Sequence, residues 1–377
     1  MSSPHLSPSA SQLARWFGED YVENVSTQMK DWYGPPIQII GAPQRQKIFA
    51  HKGGDFSGQS PGSRMASLAD WAAERTRASV KRWWDGLGKS SMQMAAVASV
   101  SDIIAAATAA NGRREFAFQK AGSTGVVGIC STLWRSAGKP DAGAVASSAP
   151  GGRIPDNTTL GSFPIDNVST AVRNLVSGNM GCSTLGNSLL MYDRLFEVNK
   201  TMSSSATEAV TGSLTRYTST TVTNQDYCGG NFLFIEVQGA LSATAHNWTV
   251  CKYTNQAGST GQTLPSVTGV SSAIINRFDT TLATFYLPLA SGDYGISALT
   301  QMQCSTASLT GTIAFVIGHP IGFMANSLAN CVLATDWVNE EFSLPRIFDS
   351  AALGLIECPK PATTATNYWG TFVAVHA

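Results

Sequence analysis

The chain has 377 residues, and its 25 Lys and Arg balance its 25 Asp and Glu. That length holds two domains or one large β domain with an appended arm, and the missing basic excess argues against a dedicated nucleic-acid binder. Charge is also uneven along the chain: residues 1–115 carry 13 basic and 10 acidic side chains, whereas residues 231–377 carry only 4 and 8.

Residues 1–62 read as an extended arm with short helical pieces. Leu13, Trp16 and Phe17 share one side of a helical pattern over 11–32, which the run Gly34-Pro35-Pro36 stops. A short strand is expected at 37–40, and the Gly, Ser and Pro stretch at 53–62 reads as a linker. Such an arm has too little core to fold alone, so it is expected to lie on the body or on another subunit. The start of the chain lacks a basic segment followed by an apolar core, so no secretory leader is expected.

Residues 63–112 form a helical region. Over 65–84, Leu68, Ala72, Val80 and Trp84 fall on one face, joined by Trp71 and Trp83, while Arg75, Arg77, Lys81 and Arg82 occupy the rest. Gly86 and Gly88 end that helix. A second, Ala-rich helix is expected from about Ser90 to Ala110, stopped by Asn111-Gly112. Its apolar content is too weak for a membrane span, and packing within protein is the expected reading.

From Arg113 the period changes to two. Strands are expected at 115–119 and 126–130, followed by a loop-rich stretch at 136–161 and a short helix at 169–176. Further strands are expected at 188–198, 232–237, 247–253, 273–278, 282–287, 298–304, 312–317, 331–334, 353–358 and 368–375. Turn signals separate them at 255–258, at 291–293 and at Gly318-His319-Pro320. About a dozen short strands argue for a mainly β protein: an antiparallel sandwich or jelly-roll-like body over 113–377 behind an N-terminal helical arm, most strongly β over 231–377.

Residues with catalytic or metal-binding chemistry are few and scattered. His5, His51, His246, His319 and His376 sit in no metal or catalytic motif, and His319 reads as a turn residue. The seven Cys form no C-x-x-C pair and read as buried free thiols without a disulfide network. Asp293 in a Gly-rich turn has calcium-ligand chemistry but stands alone, and Glu340-Glu341 reads as a solvated turn. Sequons at Asn157, Asn167, Asn199 and Asn247 are expected by chance in so Ser- and Thr-rich a chain. No catalytic residue, cofactor or metal site is assigned.

Two contact surfaces are expected instead. Trp16, Phe17, Trp32, Trp71, Trp83 and Trp84 have the side chains of interface anchors. Arg75, Arg77, Lys81 and Arg82 read either as a nucleic-acid contact or as an ordinary solvated or subunit-facing helix surface. A body with so few charges over 231–377 is expected to be covered by neighbours, which points to an assembly component.

The C-terminal third adds a resemblance. The segment from His246 through Tyr253-Thr-Asn-Gln256 to Thr263 resembles a strand–YTNQ–strand segment of tailed-bacteriophage virion proteins. Leu287-Pro-Leu-Ala-Ser-Gly-Asp-Tyr-Gly-Ile296 is similar to a second segment of the same proteins, and residues 312–320 and 360–368 continue the likeness. It covers roughly residues 230–377 and, more loosely, 65–230. These are turn-and-strand patterns, so they imply no active site. They imply a structural protein of the virion head (capsid, decoration or vertex) that self-associates, binds other virion proteins and is assembled in the bacterial cytoplasm. The alternative is a tail or head-fibre adhesin that binds a receptor or glycan through Trp248, Tyr294, Trp337, Tyr368 and Trp369.

Overall fold

A computed structural model describes residues 100–376 apart from 110–111, 149, 169–171, 308–309, 341–343 and 361–362. All of these lie in one compact unit, Asp85–Ala377. The expected arm and first helix, with Trp16, Phe17, Trp32, Trp71, Arg75, Arg77, Lys81, Arg82, Trp83 and Trp84, lie outside the described residues. Of the second helix the described part is α1 (Val100–Thr108), which turns Ala106 into the core.

The body is β, and all of its ladders are antiparallel. One sheet is built on two long strands, β5 (Asn187–Thr201) and β13 (Thr312–Asn326). They pair over their whole length, about 50 Å at strand rise. β7 (Phe232–Gly239) extends it on the β13 side, and β16 (Leu353–Glu357) and β2 (Ser131–Thr132) on the β5 side. The two ends then meet. Glu236 bridges Phe278 and Ser131 bridges Arg277, so residues 276–278 close the ring β5–β13–β7–(276–278)–β2–β16. By register, Tyr192, Arg194, Phe232, Phe234, Glu236, Phe278, Thr132 and Ile356 share the inner face. The rings fill it: Phe234 stacks on Phe278 at 4.6 Å and meets Tyr192 edge-on at 5.7 Å.

A second sheet runs β14 (Val332–Asp336), β4 (Arg173–Cys182), β17 (Asn367–His376), β1 (Arg113–Ala121) and β3 (Gly138–Lys139), with β15 (Arg346–Ile347) also on β4. In β1 the pattern Phe116, Phe118, Lys120 points in and Arg113, Glu115, Ala117, Gln119, Ala121 point out, as a half-buried strand requires. Phe116 and Phe118 stack on Phe372 of β17 at 5.7 and 5.3 Å, and Phe163 closes the cluster edge-on. This sheet covers one end of the long strands through Leu189, Met191, Ile321, Met324 and Leu353.

The other end is covered by a smaller sheet, β10 (Gln262–Thr263), β9 (Lys252–Asn255), β12 (Ile296–Met302) and β6 (Glu208–Ala209), with the pair β8 (Asn247–Trp248) and β11 (Val267–Thr268) beside it. Here Val198, Leu233, Ile235, Ile313 and Phe315 meet Trp248, Tyr253, Ile296 and Leu299. The mainly β, antiparallel, layered architecture expected from the sequence is therefore present.

Several local expectations are corrected. Residues 172–182 are not helical: β4 spans Arg173–Cys182, and a register shift against β17 leaves Leu175 and Val176 both buried, which hides the strand's alternation. Residues 126–130 form a turn in which Gly128 takes φ +84° and Ile129 N–H donates to Val126 O. Residues 282–287 form no ladder, and 273–278 contribute only the two closing bridges. Gly318-His319-Pro320 is not a turn. It runs through β13, where a Cβ at Gly318 would come within 2.8 Å of Tyr192. α2 (Trp337–Glu340) reaches Glu340, started by Asp336 Oδ1 accepting from Val338 N–H at 3.0 Å, and Glu341 of the expected solvated turn lies outside the described residues.

Candidate interaction surface

The charged side chains of the body are drawn inward. In the ring interior Arg194 donates to Glu197 at 2.6 Å and to Glu236 at 2.8 Å, with its guanidinium 4.8 Å from the Trp134 ring. Arg153 reaches the same Glu197 from the rim. Arg216 holds Asp193 through both oxygens at 2.8 Å, and Lys360 holds Glu357 at 2.9 and 3.0 Å. Lys120, turned into the core, donates to Ser136 O at 3.1 Å, and burial brings its ammonium down to about 8.

The consequence appears at the surface. Of the 12 charged residues in 231–377, the side chains of Glu340 and Glu341 are not among those described, and the other ten are all buried or half-buried. Across the described residues the exposed charges are Arg113, Glu115, Lys139, Asp141 and Asp166. They belong to β1, to β3 and the residue after Pro140, and to Asp166, which pairs with Arg114 at 3.4 Å.

The outward face of the six-stranded sheet is correspondingly plain. Register sets Gln119, Trp369, Gly181 and Val332 in one row across β1, β17, β4 and β14, and Ala117, Thr371, Asn179 and Ala334 in the next. The Trp369 indole lies across Gly181, where a Cβ would meet its Nε1 at 2.3 Å. Asn179 Nδ2 donates to Thr371 Oγ1 at 2.7 Å.

Of the five aromatic residues expected on an adhesin surface, Trp248, Trp337 and Tyr368 are buried. Trp248 fills the second core with its Nε1–H donating to Asp279 at 2.9 Å, and Tyr368 O–H donates to Asn187 at 2.9 Å. Only Tyr294 is exposed and Trp369 half-exposed, and the two do not share a face. The structure therefore does not assemble that surface.

The remaining singled-out residues have structural partners. His319 stacks on Tyr217 at 3.6 Å. Asn231 Nδ2 donates to two carbonyls at 2.9 Å, so its Oδ1 faces His319, whose Nδ1–H donates to it at 2.9 Å. Burial holds the His319 imidazole down to about 3, hence neutral. His246 Nε2 bonds Asp279 at 2.9 Å, which raises its affinity for a proton. Asp293 accepts from Tyr253 O–H at 2.6 Å and Asn255 Nδ2 at 2.7 Å. Among the described residues no group of three His, Cys, Asp or Glu side chains is placed to hold a metal ion. The seven cysteines are free, and Cys331 is the exposed one. No helix among the described residues is long and apolar enough to cross a membrane.

No family model matches this chain, and no curated protein matches it in sequence. Among solved structures it aligns with that of infectious bursal disease virus Gx strain at 8% identity, over 70% of this chain and 80% of that one, with a TM-score of 0.16. The crystal structure of the infectious bursal disease virus VP2 subviral particle aligns at 10% identity, over 70% and 81%, with a TM-score of 0.15. Both are virus-particle structures. At such TM-scores the alignments carry no argument about this chain.

Proposed function

We propose that this chain is a structural protein of a tailed-bacteriophage virion, a head component that acts through subunit contacts rather than through catalysis. The observation that carries the reading is the exterior of residues 231–376, where no described side chain is both charged and exposed. A free protein gains solubility from exposed charge. A surface without it is stable chiefly when neighbours cover it, because burying uncharged area removes no ion from water. The buried ion pairs fit the same reading, since they hold charge inside the fold and leave only half-buried charges at the described exterior of residues 231–376.

The segment resemblance in residues 246–296 supports a phage head as the setting. The N-terminal aromatics Trp16, Phe17, Trp32, Trp71, Trp83 and Trp84 are the proposed anchors on neighbouring subunits. Electron microscopy of purified particles labelled with antibody against this chain tests the assignment. Label on heads supports it; label confined to tails, or particles that never carry the chain, overturns it.

A further inference from the structure

The ring closes at its shortest strand. β2 is two residues long and joins β16 on one side to residues 276–278 on the other. Its register against β16, Ile356↔Thr132 and Glu357↔Ser131, sets Cys358 opposite Cys130 one step further along the antiparallel pair. The seam continues past them, where Gly128 N–H donates to Lys360 O at 2.8 Å and Lys360 N–H to Ile129 O at 3.2 Å.

Backbone hydrogen bonds fix the kind of pair. Leu133 N–H donates to Leu355 O at 2.9 Å, so 133 and 355 form a hydrogen-bonded pair. The alternation of an antiparallel ladder then makes 130 and 358 a non-hydrogen-bonded pair. Each cysteine indeed turns its backbone to its other neighbour: Cys130 O accepts from Phe278 N–H at 3.1 Å, and Cys358 N–H donates to Ser188 O at 3.1 Å. In such a pair the Cα atoms stand about 4.5 Å apart, within the range of about 4.4–6.8 Å that a disulfide spans. Both side chains are buried and share the inner face with Thr132 and Ile356. Their thiols hydrogen-bond each other, and Cys358 Sγ also lies 3.8 Å from Ile356 O.

Other thiols are placed differently. Cys182 Sγ lies 3.1 Å from Thr184 O, Cys228 Sγ 3.6 Å from Gln256 O and Cys304 Sγ 3.1 Å from Thr306 O. Cys304 stands opposite Trp248 rather than Cys251. Cys331 follows the β14 register towards Cys182, but it is exposed where Cys182 is buried.

We propose that Cys130 and Cys358 are an oxidisable pair whose disulfide staples the ring at the seam between β2 and β16. The co-reactant is a small disulfide. One cysteine loses its proton, its thiolate attacks a sulfur of that molecule, and the small disulfide's S–S bond breaks. The second cysteine thiolate then attacks the mixed disulfide and expels the other half. Two protein thiols are oxidised, one small disulfide is reduced to two thiols, and each cysteine proton ends on a departing small thiol.

Burial pushes the Cys358 thiol well above its ordinary value, which keeps thiolate scarce while the seam is closed. Exchange therefore waits on opening of the turn at 126–129, whose Val126 and Val127 are exposed. Cys130 lies near the start of the β body and Cys358 near its end, so the bond closes a loop over most of that body. Long loops gain the most from closure.

The test incubates the folded full-length chain with oxidised glutathione, with and without urea below the unfolding transition to loosen the seam. Free thiols are then blocked under denaturing conditions, and peptides are mapped without reduction. The expected result is a peptide joining Cys130 to Cys358 and a higher urea midpoint, which reductant returns to its starting value. Cys130→Ala and Cys358→Ala, each checked for cooperative unfolding, should form no such link and show no shift with oxidant. Glutathione on the exposed Cys331 reports that the oxidant acts. A wild-type chain that carries glutathione on Cys331 while Cys130 and Cys358 stay free, or pair with other cysteines, overturns the proposal. A Cys130–Cys358 link that leaves the midpoint unchanged or lowers it overturns the staple. These wild-type arms decide the matter even where a variant fails to fold.

Discussion

Arg194 shows what the buried charges do. It joins β5 to β7 by holding Glu197 and Glu236 across the ring interior, where neither carboxylate meets solvent. Such a pair adds little net stability over an apolar filling, but removing one member leaves its partners charged and unpaired. Arg194→Leu is expected to cost about 3–5 kcal/mol in urea unfolding, and Glu236→Gln, which keeps a polar atom opposite the guanidinium, to cost less. Equal and small losses for both variants would show that water reaches the ring interior.

The two buried histidines give opposite pH signatures. His319 is held below its ordinary value of 6.5, down to about 3, because burial disfavours its charged form. The unfolded chain therefore takes up a proton that the folded chain refuses. The contribution is fully present above pH 6.5 and is lost as pH falls from there towards 3. His246 is raised, chiefly by its hydrogen bond to Asp279. Its contribution is fully present below 6.5 and fades as pH rises through the folded value. His319→Gln should flatten the fall in stability between pH 6 and 4, and His246→Gln should flatten the fall on the alkaline side. Chemical unfolding from pH 4 to the alkaline side of neutrality reads both slopes; a His319→Gln slope equal to wild type below pH 6 refutes the assignment.

At the scale of elements, the sequence is most legible where one face of a strand meets water. β1 and β17 show the alternation, and both were expected close to their observed bounds. Strands buried on both faces lose it: β5 is buried from Leu189 to Lys200, so its presence could be read but not its faces. Bulges erase it as well, as with Leu175 and Val176 in β4. Gly318-His319-Pro320 misled because glycine and proline usually end strands. Here Gly318 makes room for Tyr192 and Phe232, and His319 turns into the seam between the two cores. The exposed edge at β14 was visible only as a short apolar run, since nothing local tells an edge strand from an inner one.

The helix read over residues 65–84 makes its own claim. If it anchors this chain on a neighbour through Trp83 and Trp84, their replacement by Ala removes apolar burial of roughly 2–3 kcal/mol each. Replacement of Arg75 and Arg77 removes charges on a helix face, where an exposed ion pair contributes about 1 kcal/mol or less. The Trp pair should reduce incorporation into particles more than the Arg pair. The reverse order, reproduced by added salt, assigns the helix an electrostatic partner such as nucleic acid.

At the scale of the molecule, the two long strands of the ring carry two apolar cores, one under each covering sheet, while Arg194, Glu197 and Glu236 pair in the ring interior. The exterior over residues 231–376 is left without exposed charge among its described side chains. Composition alone announced the scarcity of charge. The structure adds where the remaining charges sit, and it is their inward placement that turns a composition into a surface. Contacts on such a surface are apolar and backbone-mediated, so they should strengthen or hold as salt rises. Sedimentation of the full-length chain at low and high sodium chloride measures this directly. Assemblies that persist or grow with salt are expected; a monomer at every concentration, or assemblies that dissolve as salt rises, contradicts a body covered by its neighbours.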